Sequence, residues 1–477
     1  MNPAPAPVRT LAPSRPRRGR GREAAGLLVV ALVAAGVTAA RPRNARPPAT
    51  PTRIEYSGTL LYEAHFRRPG DVHPYHSHQV YSTDHRGNAR LDWTNWEEGD
   101  SVFVPETFLV SGGRAFHRDA PGQPWVEYTG ARARDARLQA CAGLPASLLR
   151  LSAAGRGERE SWVKARGRIS GYTRLKPHPR LGDVRDSVAY RWGGAEPAPE
   201  AMSMALYERD SNWRLFANRV AWSSDALPDS LFAVPEGATP AAHRGEEDTL
   251  GTVPPLVALA PGIWSADLAD IDSRTLVVEF VDHVAVIETA VGSANGERIV
   301  DAIRRQFPGK PVRDALFSHY HPHYTGGLRA LIAEGATVIT TPGNEAFVHR
   351  IAAYPFRMRP DRLARHPRAV RTVVFANRYE IADSTNRLVA INYGVRSQHT
   401  DEFVLFWFPR QKLLFESEQG WSRVNGAPRT GRRAKALMSW VAEQGLDVER
   451  VVQGWPMRDT DAMLTRATLD SLVQAPR

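Results

Sequence analysis

The sequence predicts an α/β protein in two parts: a β-rich, antiparallel domain over residues 53–240 and an α/β domain over residues 250–477. Three observations carry this. Residues 53–240 are dominated by short segments rich in aromatic and β-branched residues, separated by turn residues, as in antiparallel sheets. After residue 250, apolar strand-like runs alternate with helical periodicity, as in layered α/β domains. Within that second part, Ala315–Gly327 reads A-L-F-S-H-Y-H-P-H-Y-T-G-G. This is a buried strand, a loop with histidines at alternate positions, and the entry to a helix. A loop at a strand end is held by a rigid scaffold, which suits a metal site.

Composition narrows the chemistry. The 477 residues leave room for two or three domains, and 42% apolar with 24% charged residues is ordinary globular usage. Cys141 is the sole cysteine, so an intramolecular disulfide and a cysteine-based zinc site are both excluded. A metal must be held by His, Asp or Glu. Residues 1–40 read as an export signal: Arg15, Arg17, Arg18, Arg20 and Arg22 precede an uncharged run, Ala24–Ala40, ending in the small residues Val37-Thr38-Ala39. The alternative is an uncleaved anchor, since such a run is at the lower limit of a membrane span. The expected location is therefore periplasmic or extracellular, alternatively anchored, with the membrane touched only through this segment. Six arginines and Glu23 give residues 1–40 a net +5, which leaves +6 of the formal +11. No long basic run with interleaved aromatics follows, so nucleic acid is not an expected partner. Residues 41–52, rich in Pro, Arg and Ala, read as a linker.

In the first domain, Ile54–Tyr62, Ser101–Val110, Arg114–His117, Trp125–Tyr128, Ala201–Tyr207 and Trp213–Trp222 read as strands. Leucines at helical spacing over Ala136–Ala154 predict one or two helices, broken at Gly143 and Pro145. The expectation is an antiparallel sheet curved around a helix. The closing segment Leu227-Pro228-Asp229-Ser230-Leu231-Phe232-Ala233-Val234-Pro235 is similar to that of the LolA-like carriers. That resemblance implies an apolar-ligand surface, against the alternative of a packing domain. His73, His76 and His78 form a local cluster, read as a solvated histidine-rich hairpin in preference to a metal site. Glu236–Asp248 reads as the linker between domains.

In the second domain, the strand beginning at Gly262-Ile263-Trp264, then Thr275–Phe280 and Val284–Thr289, precede a helix over Glu297–Phe307, where Ile299, Val300, Ile303 and Phe307 share one face. The histidine loop follows, then a helix from Leu328, a strand Thr337–Thr341 and a helix Asn344–Ile351. Arg387–Tyr393, Phe403–Phe408, Lys412–Phe415 and Arg450–Gln453 read as strands. Arg433–Gly445 and Asp461–Val473 read as covering helices.

The histidine loop resembles the signature of the metallo-β-lactamase fold superfamily, H-x-H-x-D-H-x-G-G after a buried strand. His319 and His321 match its first two histidines, and Gly326 and Gly327 its glycines. His399, just before an apolar strand, matches the third histidine. His323 and Tyr324 stand where the family has Asp and His, Glu418 where it has a bridging Asp, and Trp455 where it has its last His. The resemblance implies an αββα sandwich over about residues 255–460. It implies one zinc held by His319, His321 and His399 with a fourth position open, and a second site dismantled. The function it implies is hydrolysis of a small-molecule substrate, with His323 or Glu418 handling a proton and Tyr324 donating to a developing oxyanion. Two alternatives stand beside it. One is a catalytically silent member serving as a binding module; the other is a carrier whose first domain holds an apolar ligand. The bond cleaved is not readable, because this fold hosts several hydrolyses.

Overall fold

Alternation along the strands sets the first sheet. In Ala201–Glu208, Met202, Met204 and Leu206 are buried while Ser203 and Ala205 are half-exposed, so one face is committed to a core. The protein's computed structural model describes residues 50–62, 67–97, 100, 104–150, 157–208, 213–241, 252–289, 291–420, 423–424, 427–428, 432–455, 457, 463–468 and 470. The expected export segment, most of the 41–52 linker, residues 242–251 of the inter-domain stretch and residues 461, 462, 469 and 471–473 of the expected Asp461–Val473 helix lie outside the described residues.

Among the described residues, twelve strands form the first sheet. Its spatial order is Thr239–Pro240, Val126–Tyr128, Arg114–Arg118, Glu106–Ser111, Ala89–Trp96, His73–Thr83, Arg53–Tyr62, Trp213–Ser223, Ala201–Glu208, Gly182–Arg191, Arg168–His178 and Arg159–Ala165. Neighbours are antiparallel except the short Thr239–Pro240 strand, which runs parallel to Val126–Tyr128. The chain walks outward from Arg53–Tyr62 in hairpins, crosses in the helices Gly130–Cys141 and Pro145–Arg150, and walks back to pair Trp213–Ser223 with its first strand. Apolar residues of both helices share one buried cluster with Tyr56, Tyr81 and Trp93 on one side and Tyr172, Tyr190 and Met204 on the other. The helix pair thus sits on both halves of the sheet. Gly143, between the helices, is required by close approach: a Cβ there would enter the Tyr81 ring. The first helix starts earlier than the expected Ala136 because its opening turns, rich in Arg, carry no apolar signal.

The second domain is two facing sheets. Leu256–Ala260, Ile263–Leu268, Ser273–Glu279, Val284–Ile287, Val312–Leu316, Thr337–Thr340 and Arg371–Val374 form one, in that order, its last four strands parallel. Arg378–Ala382, Arg387–Asn392, Val404–Phe408, Leu413–Glu416, Arg450–Gln453 and Leu464–Thr465 form the other. Between them lie Leu276, Val278, Ile287, Phe406, Phe408 and Phe415, all 0% exposed. Each such aromatic burial is worth roughly 1.5–3 kcal/mol. Helices Ser293–Gln306 and Leu328–Glu334 pack on the outside of the first sheet, and Arg432–Glu443 packs on the outside of the second. The layer order is α, β, β, α. One expectation is corrected: Leu464–Thr465 is a strand, not part of a helix, because it pairs with the free edge of Arg450–Gln453.

The two domains meet at the turn after Arg168–His178. Gly182 has φ +73 and lies too close to the Pro355 carbonyl for any side chain. The Asp183 amide donates to the Pro355 carbonyl at 2.7 Å, and its carboxylate accepts from the amides of Arg357 (3.1 Å) and Met358 (3.0 Å). Leu181 and Val184 are buried with Tyr320, Phe347 and Phe356. Tyr320 belongs to the histidine loop, so this docking touches the site directly.

Candidate metal centre

The strand Val312–Leu316 delivers Ser318 and His319 to the edge of the sandwich. His321 then caps a one-turn helix, Pro322–Thr325, with proline at its first position, where a missing amide costs nothing. The Thr325 hydroxyl donates to the carbonyls of Tyr320 (3.1 Å) and His321 (3.0 Å), which pins the loop from inside. His399 sits after a left-handed residue, Gln398, and its amide donates to the Ser397 hydroxyl at 3.1 Å. Glu418 follows the strand Leu413–Glu416. It adopts φ +60, and its amide donates to the Trp455 carbonyl at 3.0 Å.

These loops bring four side chains together. His319, His321, His399 and Glu418 each offer a ligand atom, and all lie within 4.8 Å of one another. His319 Nε2 and His321 Nδ1 are 3.1 Å apart, and His321 Nδ1 and His399 Nε2 are 3.3 Å apart. A tetrahedral ion with metal–nitrogen bonds near 2.0–2.1 Å separates its ligand atoms by about 3.3 Å. The donor set therefore fits a single zinc-type ion. Burial lowers the pKa of His319 well below the ordinary histidine value, and that of His321 also falls. Both rings are thus neutral and present lone pairs. The Ser318 hydroxyl lies 3.1 Å from His319 Nδ1 and Phe403 stacks on the ring at 4.9 Å, which together fix its plane.

Glu418 stands closer to the histidines than a bystander would. Oε2 contacts His399 Nε2, while Oε1 accepts from the Tyr324 hydroxyl at 3.0 Å. Burial pushes its carboxyl up, but the three surrounding histidines, His321, His399 and His319, outweigh this and hold it well below the usual carboxylate range. Arg433, from the outer helix, reaches His399 Nδ1 at 3.1 Å and Glu418 Oε2 at 3.7 Å. A guanidinium can only donate. So long as it faces Nδ1, the proton of His399 sits on Nε2, towards Glu418; ligation through Nε2 requires Arg433 to step away.

The remaining candidates are placed as follows. Tyr324 is 0% exposed behind Glu418, so the expectation that it donates to an oxyanion is corrected: its hydroxyl is committed to Glu418. His323 faces the cavity, its ring tilted against Trp455 with centroids 4.6 Å apart, and is not among the four clustered residues. The positions at which the resemblance places a second metal thus hold Tyr324, Trp455 and a His323 ring tilted against that tryptophan. His73, His76 and His78 do not gather. His76 stacks on Trp96, while His73 and His78 lie 3.6 Å from Glu97 and 3.7 Å from Glu55. Sequence reasoning missed Arg433 and the contact of Glu418 with His399. Arg433 is one of several arginines near the start of its helix, and no spacing ties it to the histidines.

The cluster opens into a cavity of about 840 Å³. His321, His399, Glu418 and Arg433 line it together with residues of the twelve-stranded sheet and its helix, among them Phe108, Gln139 and Trp213. Both domains build it.

Four layers, with a histidine loop after an inner strand of the first sheet and a third histidine before an inner strand of the second, decide the architecture. The second domain has the metallo-β-lactamase fold. No protein-family model matches the chain. Among solved structures, the chain is similar to a metallo-β-lactamase from Pontibacter korlensis, with 18% identity and TM-score 0.35 over 46% of this chain and 99% of that one. It is similar to the mono-zinc form of the metallo-β-lactamase FIM-1 from Pseudomonas aeruginosa, with 19% identity and TM-score 0.34 over 47% and 95%. It is also similar to the flavodiiron protein of Giardia intestinalis, with 10% identity and TM-score 0.34 over 46% and 57%.

Proposed function

We propose that the protein is a metal-dependent hydrolase acting on a small molecule in the cavity between its two domains. The observation that carries this reading is the convergence of His319 Nε2, His321 Nδ1 and His399 Nε2 at 3.1 and 3.3 Å. These three residues would hold one zinc ion, and a bound ion would supply Lewis-acid activation of water or of the scissile group. The chain's own groups do the rest. Glu418, held ionised, accepts a proton at Oε2 while the Tyr324 hydroxyl fixes Oε1. His323, packed against Trp455, faces the bound molecule and offers a second proton-carrying group. Phe403 and Tyr324 exclude water from behind the histidines. A panel of esters, lactones, thioesters and phosphodiesters tests the proposal. Turnover of one class, lost on chelation, restored by zinc and reduced at least a hundredfold by Glu418→Gln, is expected. Turnover that survives chelation overturns it.

One observation favours a second reading. Glu418 occupies the fourth side of the cluster, and a closed set of four ligands holds a metal without turnover. A fully zinc-loaded chain with no activity on the whole panel selects that reading. The apolar run after the basic segment of residues 1–40 supports a place outside the cytoplasm. The mass of the mature chain checks this: an intact amino terminus on a chain recovered from the cytoplasm would contradict it.

A further inference from the structure

One wall of the cavity comes from the amino-terminal domain, which supplies none of the four clustered residues. That wall is aimed. The turn carrying Arg180 is locked on both sides, since the Pro179 carbonyl accepts from the Ser293 amide at 3.0 Å and Asp183 is tied to residues 355–358. His178, itself buried, accepts through Nδ1 from the amides of Arg180 (3.2 Å) and Leu181 (3.1 Å), which closes the turn. Leu181, 1% exposed, anchors it against Tyr320 of the histidine loop. The outcome is that Arg180 lines the same cavity as His321, one residue before the Leu181 that packs with Tyr320 of the histidine loop.

The charge balance of the lining has a sign. Arg132, Arg180, Arg350 and Arg433 face three carboxylates, Glu106, Asp135 and Glu418. Asp135 is neutralised from behind by Lys176 at 2.7 Å and by Arg174. Glu418 is engaged by the histidines, and Glu106 lies 3.1 Å from His117 Nε2. Phe108, Tyr207 and Trp213 give the wall an aromatic surface. About 840 Å³ is within the range of cavities that enclose a drug-sized molecule.

We propose that this cavity takes an anionic small molecule with an aromatic or otherwise apolar body, its anionic group held by Arg180 beside the histidine cluster and its body lying along Phe108, Tyr207 and Trp213. This names the substrate class of the proposed hydrolase and rests on that reading only in taking the cluster as the reacting end. Arg180 is a binding residue on this account, set by a domain other than the one that holds the metal.

Two fluorescent probes with nearly the same body separate the contributions: 1-anilinonaphthalene-8-sulfonate, which carries an anion, and neutral N-phenyl-1-naphthylamine. They are titrated into the full chain, metal-free and zinc-loaded, and into Arg180→Ala, Arg180→Lys and Gln139→Trp. Gln139 is a half-buried residue of the cavity wall, so tryptophan there fills space without removing core. The sulfonate should bind once per chain and more tightly than the neutral probe. Arg180→Ala should weaken it about tenfold, the scale of one charge-assisted hydrogen bond, with partial recovery in Arg180→Lys and little change for the neutral probe. Gln139→Trp should weaken both probes. Sulfonate affinity within twofold of wild type in Arg180→Ala, or both probes unaffected by Gln139→Trp, overturns the proposal. Thermal melts of each variant separate lost binding from lost folding; an Arg180→Ala that melts early leaves Arg180→Lys and Gln139→Trp to decide. Arg180-dependent binding by a chain that takes up no metal sinks the hydrolase reading alone. Metal-dependent turnover with no Arg180 dependence sinks this one alone.

Discussion

Substituting Gly326 by alanine should cost both stability and metal. A Cβ on Gly326 would lie 2.5 Å from the Gly292 amide nitrogen and from the Val291 Cα, both backbone atoms. Ordinary contact needs about 3.5 Å or more, so the backbone must part by close to 1 Å. The segment is not free to give. The Gly326 amide donates to the Pro322 carbonyl at 2.9 Å, the Gly327 amide to the Thr289 carbonyl at 3.0 Å, and the Thr289 amide to the Tyr324 carbonyl at 2.8 Å. Overpacking of this kind costs about 1–3 kcal/mol, and the upper end applies where only backbone can yield. About 3 kcal/mol corresponds to a fall in Tm of roughly 6–12 °C. The same shift is passed to His321 through the Pro322–Thr325 turn. It exceeds the ~0.5 Å tolerance of a working constellation, so zinc affinity should fall at least tenfold. Calorimetric melting and zinc titration of Gly326→Ala measure both. Gly343→Ala is the control, since the nearest atoms to its Cβ belong to the flexible Glu402 side chain; it should cost less than about 1 kcal/mol. A Gly326→Ala chain with wild-type Tm and zinc affinity would refute the reasoning.

Two further outcomes follow from buried charge. Burial raises the Glu288 carboxyl to about 8, against the hydrogen bonds of Ser318 and Ser417. A raised carboxyl contributes stability that is complete below its unfolded value near 4.5 and is lost as pH rises through about 8. Glu288→Gln should therefore lose less stability than wild type between about pH 5 and pH 8, by about 3 kcal/mol in denaturant titrations; parallel curves would contradict this. Arg329, 2% exposed, is bound bidentately by Asp361 at 2.6 and 3.0 Å and lies over the Phe356 ring at 4.2 Å. Asp361→Ala leaves that guanidinium uncompensated and should cost about 3–5 kcal/mol; a loss under about 1 kcal/mol would show the pair to be dispensable.

The second domain was legible because its signals are local. Ile299, Val300 and Ile303 mark their helix by spacing, and the short apolar run Ala315-Leu316-Phe317 marks the end of the strand that leads into the histidine loop. The histidines declared themselves through alternation and through their place at strand ends. What the sequence hid was long-range. Arg180 is separated from His321 by most of the chain's middle, and only the fit of Gly182 against Pro355 brings them together. Leu464–Thr465 has helical neighbours but completes a sheet edge, so tertiary pairing overrode local preference. In the first domain, Arg159–Ala165, Arg168–His178 and Gly182–Arg191 escaped notice because charged residues interrupt their alternation, several of them paired on the sheet itself, as Arg174 is with Asp186. The role of Glu418 was half-visible. Its place after Leu413–Glu416 was readable, but its contact with His399 Nε2 depends on a left-handed turn that no residue type announced.

Metal stoichiometry of the chain lacking residues 1–40 tests the central claim most directly. Elemental analysis of the wild type and of His319→Ala and His399→Ala should give one zinc per chain in the first and none in the two variants. Two ions per chain, or an unchanged content in the variants, would contradict a single centre built on His319, His321 and His399.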